Sequence, residues 1–126
     1  MAKKWSQGKS IYLQIMDEIC GSIASGELKP GQRVPAVREY ADIFEVNPNT
    51  MQRALYELER EGILVSERNT GRYVTDDVMV LTAMKEKQAQ KAFDEFTAQM
   101  AALGYDEEAM TEYFFSKIKR KGEAAC

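Results

Sequence analysis

Asn49, Gln52 and Arg53 lie in residues 45–55, EVNPNTMQRAL, a stretch that starts like a turn and finishes like a helix. An amide sets a donor beside an acceptor, and a guanidinium is a planar fork of donors. Such side chains fit flat surfaces that carry paired hydrogen-bonding groups. Base edges in the DNA major groove are surfaces of this kind: Asn and Gln pair two-pronged with adenine, Arg with guanine. Entering a helix does not require them. Asn47 suffices as N-cap, its side-chain oxygen accepting from the free N–H of Asn49 or Thr50. Pro48 suits the first helical position, where its fixed φ helps and its missing N–H costs nothing. Stepping the helix at roughly 100° per residue gathers Met51, Ala54, Leu55 and Leu58 on one side. Asn49, Gln52, Arg53, Tyr56 and Arg60 then lie on the other, with Glu57, Glu59 and Glu61 at its flanks or beyond. A face that is merely solvated more often mixes Glu and Lys as i,i+4 pairs.

The elements that must position this face are legible on either side of it. Residues 10–25 read as a helix, with Ile11, Ile15, Ile19 and Ile23 recurring every four positions, Ser10 as N-cap and Gly26 as the stop. Pro30 and Gly31 suit the centre of a type II turn, and Gln32-Arg33-Val34 is a short extended piece. A second helix spans residues 36–44, with Val37, Tyr40, Ala41 and Phe44 on its apolar face and Arg38 off it. After Gly62, residues 63–67 and 72–75 read as two strands of a hairpin turning at residues 68–71. Arg68 and Arg72 flank the tip, where Asn69 and Gly71 tolerate positive φ and let the backbone approach a ligand. Three helices followed by a hairpin is the order of a winged helix-turn-helix, whose third helix enters the major groove. Arg68 and Arg72 would then meet phosphates or the adjacent minor groove.

Residues 76–126 differ in character. After the capping pair Asp76-Asp77, residues 78–103 form a long helical pattern holding Leu81, Met84, Phe93, Phe96 and Met100. Gly104 reads as a Schellman-type stop. Asp106 caps a last helix through about residue 121, with Tyr113, Phe114 and Ile118 on one side. Two helices cannot enclose a core alone; the simplest cover for their apolar stripes is a second copy of the chain. The expected architecture is therefore mainly α with a small β-hairpin: a DNA-binding domain over residues 1–76 and a two-helix dimerisation segment over residues 77–126. Leu81, Met84, Phe93, Phe96, Met100, Tyr113 and Phe114 are the expected dimerisation residues.

Composition narrows the function. The 126 residues contain no histidine, which removes the commonest general base and the commonest transition-metal ligand. No Gly-rich phosphate loop or cysteine cluster is present, so no enzyme, cofactor or metal site is expected. Cys20 lies on an apolar helix face and Cys126 ends the chain, which is no disulfide framework. No apolar run approaches the ~20 residues that cross a bilayer, and Met1-Ala2-Lys3-Lys4-Trp5-Ser6 is no signal peptide, so a cytoplasmic protein without membrane contact is expected. Net charge is −3. Residues 1–75 hold 10 basic and 10 acidic residues, and residues 76–126 hold 7 and 10. DNA binding must therefore rest on where the arginines sit rather than on overall charge.

The stretches PGQRVPAVRE (residues 30–39) and VNPNT (46–50), Ala54, LEREG (58–62) and NTGRYV (69–74) resemble the N-terminal domain of the GntR family of bacterial transcription regulators. IYLQI at residues 11–15 fits as well. The resemblance spans roughly residues 8–76, and the Asn-Pro-Asn-Thr form with a short two-helix tail resembles the YtrA subfamily. It implies a homodimer on a palindromic double-stranded DNA operator, acting as a repressor. Position by position, it places Arg38 of the second helix, Asn47, Asn49, Thr50 and Gln52 at the start of the third, and Gly71 of the wing against DNA. Arg53 joins them from the helical face. Ala36 stands where many members have Ser and Pro48 where many have Arg, so operator preference should differ from theirs. Larger members carry separate effector domains, some with histidine-bound metal. Here any small-molecule signal must be read in a crevice between dimer helices or by changing subunit geometry, and a roomy pocket is not expected. The near-neutral first part keeps an alternative, a winged-helix protein-interaction module without DNA binding. Among the blander expectations, Arg60 pairs with a glutamate, Trp5 packs on the first helix, and residues 117–121 form a solvated helix end.

Overall fold

A computed structural model describes residues 5–125. Five helices and one hairpin follow in the order α1 (Ile11–Ala24), α2 (Val37–Phe44), α3 (Pro48–Arg60), β1 (Leu64–Glu67), β2 (Gly71–Val74), α4 (Val78–Ala102) and α5 (Glu107–Ala125). The chain divides into two compact units, residues 1–88 and 89–126, and the division falls inside α4.

In the first unit α3 is the central element, packing on α1, α2 and β1. Its inner stripe of Met51, Ala54, Leu55 and Leu58 is fully buried, and each fits the 3.6-residue period of the sequence. Ile15, Ile19 and Ile23 of α1 and Tyr40, Ala41 and Phe44 of α2 complete the interior. The joint between α2 and α3 is three residues long, Glu45, Val46 and the N-cap Asn47. Glu45 turns it at φ 54, a left-handed conformation uncommon outside glycine and asparagine, and the Val46 amide donates to the Ala41 carbonyl at 3.0 Å. This short link fixes α3 against α2.

The Pro30–Gly31 turn forms as its residues require: Gly31 has φ 81 and the Gln32 N–H donates to the Lys29 carbonyl at 3.0 Å. The hairpin is antiparallel, with Leu64 opposite Val74 and Glu67 opposite Gly71. Residues 31–34 lie along its other edge. Gly31 N–H donates to the Val74 carbonyl, Val74 N–H to that of Gln32, and Val34 N–H to that of Arg72, at 2.8, 2.9 and 3.0 Å. The wing is thus held by backbone bonds on both sides of β2.

Several expectations change in detail. Ser10 sits at the N-cap of α1 but its side chain makes no capping bond. The ring of Trp5 meets Phe44 of α2, with centroids 6.0 Å apart, rather than packing on the first helix alone. The last helix runs to Ala125, beyond residue 121. Leu81 and Met84, grouped by periodicity with the dimerisation residues, pack on the interior of the first unit, where Met84 is only 6% exposed. A helical stripe reveals which side is apolar, not which neighbour covers it. Cys126 lies outside the described residues.

In the second unit the α4–α5 corner is a Schellman stop. The Gly104 N–H reaches the Ala101 carbonyl at 3.0 Å and the Tyr105 N–H reaches that of Met100 at 3.1 Å, with Gly104 at φ 94. Asp106 then caps α5 by accepting from the Ala109 amide at 2.9 Å. No helix among the described residues is long and apolar enough to cross a membrane.

Candidate nucleic-acid interface

The start of α3 is built as its residues dictate. The Asn47 side-chain oxygen accepts from the Asn49 amide at 2.7 Å, with Pro48 at the first helical position. Asn47 is thus first a cap, and only its amide NH2 remains for another partner. Asn49, Gln52 and Arg53 point outward, and Thr50 is half-buried. Among the described residues, the Asn49 and Gln52 side chains make no hydrogen bond to the rest of the chain, so their donors and acceptors are available.

Arg53 is different: its guanidinium lies over the ring of Tyr12 from α1, 3.9 Å from the centroid. A guanidinium on an aromatic face is attracted by the ring quadrupole and loses rotational freedom, and among the described residues no hydrogen bond occupies its edge N–H donors. The sequence alone does not reveal this contact, because no local signal marks a pairing across 41 positions.

Arg38 is exposed on α2 and forms no ion pair with Asp42, the alternative that its spacing offered. Arg60 is paired with Glu57 at 3.2 Å, in line with the structural expectation for it. Tyr56 is exposed on the outer side of α3.

On the wing, Arg68 is exposed at the tip and Asn69 takes φ 64. Arg72 was expected to reach DNA, but its Nε donates to Glu59 Oε1 of α3 and its side chain is only 19% exposed. The same carboxylate oxygen accepts from the Ser66 hydroxyl at 2.6 Å. Glu59, Ser66 and Arg72 therefore tie α3 to both strands of the hairpin. A partner 13 residues away on another element is invisible to helical or strand periodicity.

The Ser66 hydroxyl first, and then the Arg72 guanidinium, hold the Glu59 carboxyl below its ordinary value of 4.5, with partial burial opposing them. A carboxyl lowered in the folded state contributes stability that is present above its unfolded value and lost as pH falls through the folded one. Glu59→Gln should therefore lower stability by about 1 kcal/mol at neutral pH. Its difference from the parent should shrink as the pH is taken below 4.5, read as melting temperature against pH.

The second unit presents a different surface. Phe93 and Phe114 are 60% and 46% exposed, and Phe96, Tyr113, Phe115 and Ile118 are also exposed, while Met100 is buried. Phe93, Phe96, Met110, Phe114 and Phe115 line a half-open groove of about 940 Å³ between α4 and α5. That volume exceeds the expectation of no roomy pocket, but the groove is a trough in an apolar face rather than an enclosed chamber. Lys117 lies over the Tyr113 ring at 5.4 Å. No cluster of metal-ligating side chains is present among the described residues.

Comparison with known proteins agrees with this architecture. The family model of bacterial regulatory proteins, gntR family, matches residues 11–74, which contain α1 through the wing. YhcF, an HTH-type transcriptional regulator of Bacillus subtilis strain 168, is 38% identical over 112 residues, covering 89% of this chain and 93% of its own. The HTH-type transcriptional repressor YtrA of the same organism is 38% identical over 90 residues, covering 67% of this chain and 69% of its own. A solved structure of a GntR family transcriptional regulator from Listeria monocytogenes superposes with a TM-score of 0.78 at 33% identity, covering 89% of this chain and 98% of that one. The family and its named relatives are transcriptional regulators rather than enzymes. A winged helix with this outward-facing third helix, matched along nearly its whole length by such regulators, is a DNA-binding transcription regulator: the chain belongs to the GntR family, in its YtrA-like branch.

Proposed function

We propose that the protein is a repressor that binds a palindromic operator as a homodimer, with residues 1–76 reading DNA and the helices beyond them pairing the two chains. The observation that carries the reading is the outer face of α3. Asn49 and Gln52 are exposed with unpartnered amides, and Arg53 is held by Tyr12, at the end of a helix whose opposite side is sealed in the interior. Arg38, the remaining NH2 of Asn47, Thr50 and Gly71 complete the surface, with Arg68 adding charge at the wing. Repression is supported by the naming of YtrA. Dimerisation is supported by aromatic side chains left open to solvent on α4 and α5, a patch of the kind that marks an interaction surface. Its residues are Phe93, Phe96, Tyr113 and Phe114, together with the buried Met100, while Leu81 and Met84 pack in the first unit. A twofold dimer presents two recognition helices to two half-sites, which makes a palindrome the natural target.

Gel shift with the duplex upstream of the protein's own gene, repeated across salt concentration, tests the DNA reading. Light scattering on the eluting protein tests the dimer. A shift that weakens with salt and a mass twice that of the 14.3 kDa chain are expected. Absence of a shift even at low salt would favour the protein-interaction module, and a monomer would remove the palindrome.

A further inference from the structure

Pairing of Arg72 with Glu59 removes one expected cation from the wing, and the extended piece at residues 31–34 supplies another. Arg33 is bridged antiparallel to Tyr73, so its side chain leaves from the edge of the wing. The guanidinium lies against the backbone of Gly71. A Cβ at Gly71 would stand 2.8 Å from Arg33 Nε, 3.3 Å from Nη2 and 3.4 Å from Cζ. Gly71 has φ 128, where L side chains are strained, so glycine is required there by conformation as well as by the arginine beside it. Arg33 is exposed, and among the described residues no carboxylate forms an ion pair with it. Arg72, by contrast, is largely buried and neutralised.

A guanidinium held against a turn without a counter-ion is a charge arranged in advance for an anion. The protein binds DNA, and DNA carries its anions as phosphates along both strands. We infer that Arg33 is a phosphate contact of the wing, laid across Gly71 so that its charge stands beside the hairpin tip. The inference rests on the DNA-binding reading and reassigns within it the role first expected of Arg72.

The test uses the full chain, the duplex upstream of its own gene, and a mixed-sequence duplex of equal length. Arg33→Gln keeps the reach and removes the charge; Arg33→Lys keeps the charge. Arg53→Ala is the comparison that reports on the recognition helix. Arg33→Gln should weaken binding to both duplexes by about the same factor and flatten the slope of log affinity against log salt by about 0.9 per protomer bound. Arg33→Lys should keep the parental slope. Gly71→Ala should weaken binding in the parent and add little in the Arg33→Gln background, because the side chain it displaces no longer carries charge. A role in folding alone would leave the salt slope of every variant unchanged. The proposal is overturned if Arg33→Gln keeps the parental slope while Arg53→Ala weakens operator binding. It is overturned equally if the loss is confined to one duplex, or if Lys fails as badly as Gln. If the parent binds neither duplex, the DNA-binding reading itself falls and takes the proposal with it.

Discussion

Phe114→Glu should convert the protein to a monomer and lower operator affinity by about two orders of magnitude or more. The side chain lines the groove between α4 and α5 and is 46% exposed, so a carboxylate there stays solvated in the free chain. The fold of the first unit has no part in that change, since its interior is built from α1, α2, α3, the hairpin and the first turns of α4. In a pairing of two such faces, the same carboxylate is taken out of water without a partner, at a cost of several kcal/mol. Its effect on DNA follows from linkage of the two recognition helices. In the proposed dimer a second half-site is bound at an effective concentration fixed by the pairing, and losing that advantage would remove about 10²–10⁴ in affinity. Light scattering, a melting curve and operator titration together read the outcome. A variant that remains dimeric and binds like the parent would place the chain–chain contact elsewhere.

How far the chain could be read in advance depended on the range of each interaction. The Asn47 cap, the proline beside it, the turn at Pro30 and Gly31 and the Schellman stop at Gly104 each involve residues within five positions of one another, and all appear as their types require. The buried stripe of α3 also follows from its period. Three other features depend on elements distant in sequence. Tyr12 under Arg53 joins α1 to α3, Glu59 with Arg72 joins α3 to the wing, and Arg33 reaches Gly71 only because residues 31–34 pair with β2. Met84 belongs with them: its apolar face was legible, but its neighbour was set by where α4 leaves the wing. Of the arginines considered for DNA, this long-range layer leaves Arg38 and Arg68 unpaired, steadies Arg53, neutralises Arg72 and brings in Arg33. The even charge of residues 1–75 conceals this sorting, because it counts ion-paired and unpaired cations alike.

Arg53→Ala should weaken operator binding by about 1–3 kcal/mol and relax preference at one base pair of each half-site, with little change in melting temperature. The residue is exposed and is not part of the buried core, so the fold should depend on it little. Its value for recognition comes from being a fork held in place. Tyr12 supports one face of the guanidinium at 3.9 Å, which reduces the freedom lost when two N–H groups meet a base edge. Tyr12→Phe keeps that aromatic face and should bind like the parent, whereas Tyr12→Leu removes it and should lose part of what Arg53→Ala loses. Once Arg53 is already alanine, Tyr12→Leu should have little further effect on binding, since the two side chains act as one unit. Competition with operators altered at single positions distinguishes this from a phosphate contact. A base contact produces a loss that depends on one position, while a phosphate contact weakens all sequences alike. If Arg53→Ala weakened every operator equally, the discriminating role on this face would pass to Asn49 and Gln52, whose side-chain amides are the other unpartnered two-pronged groups at the start of α3.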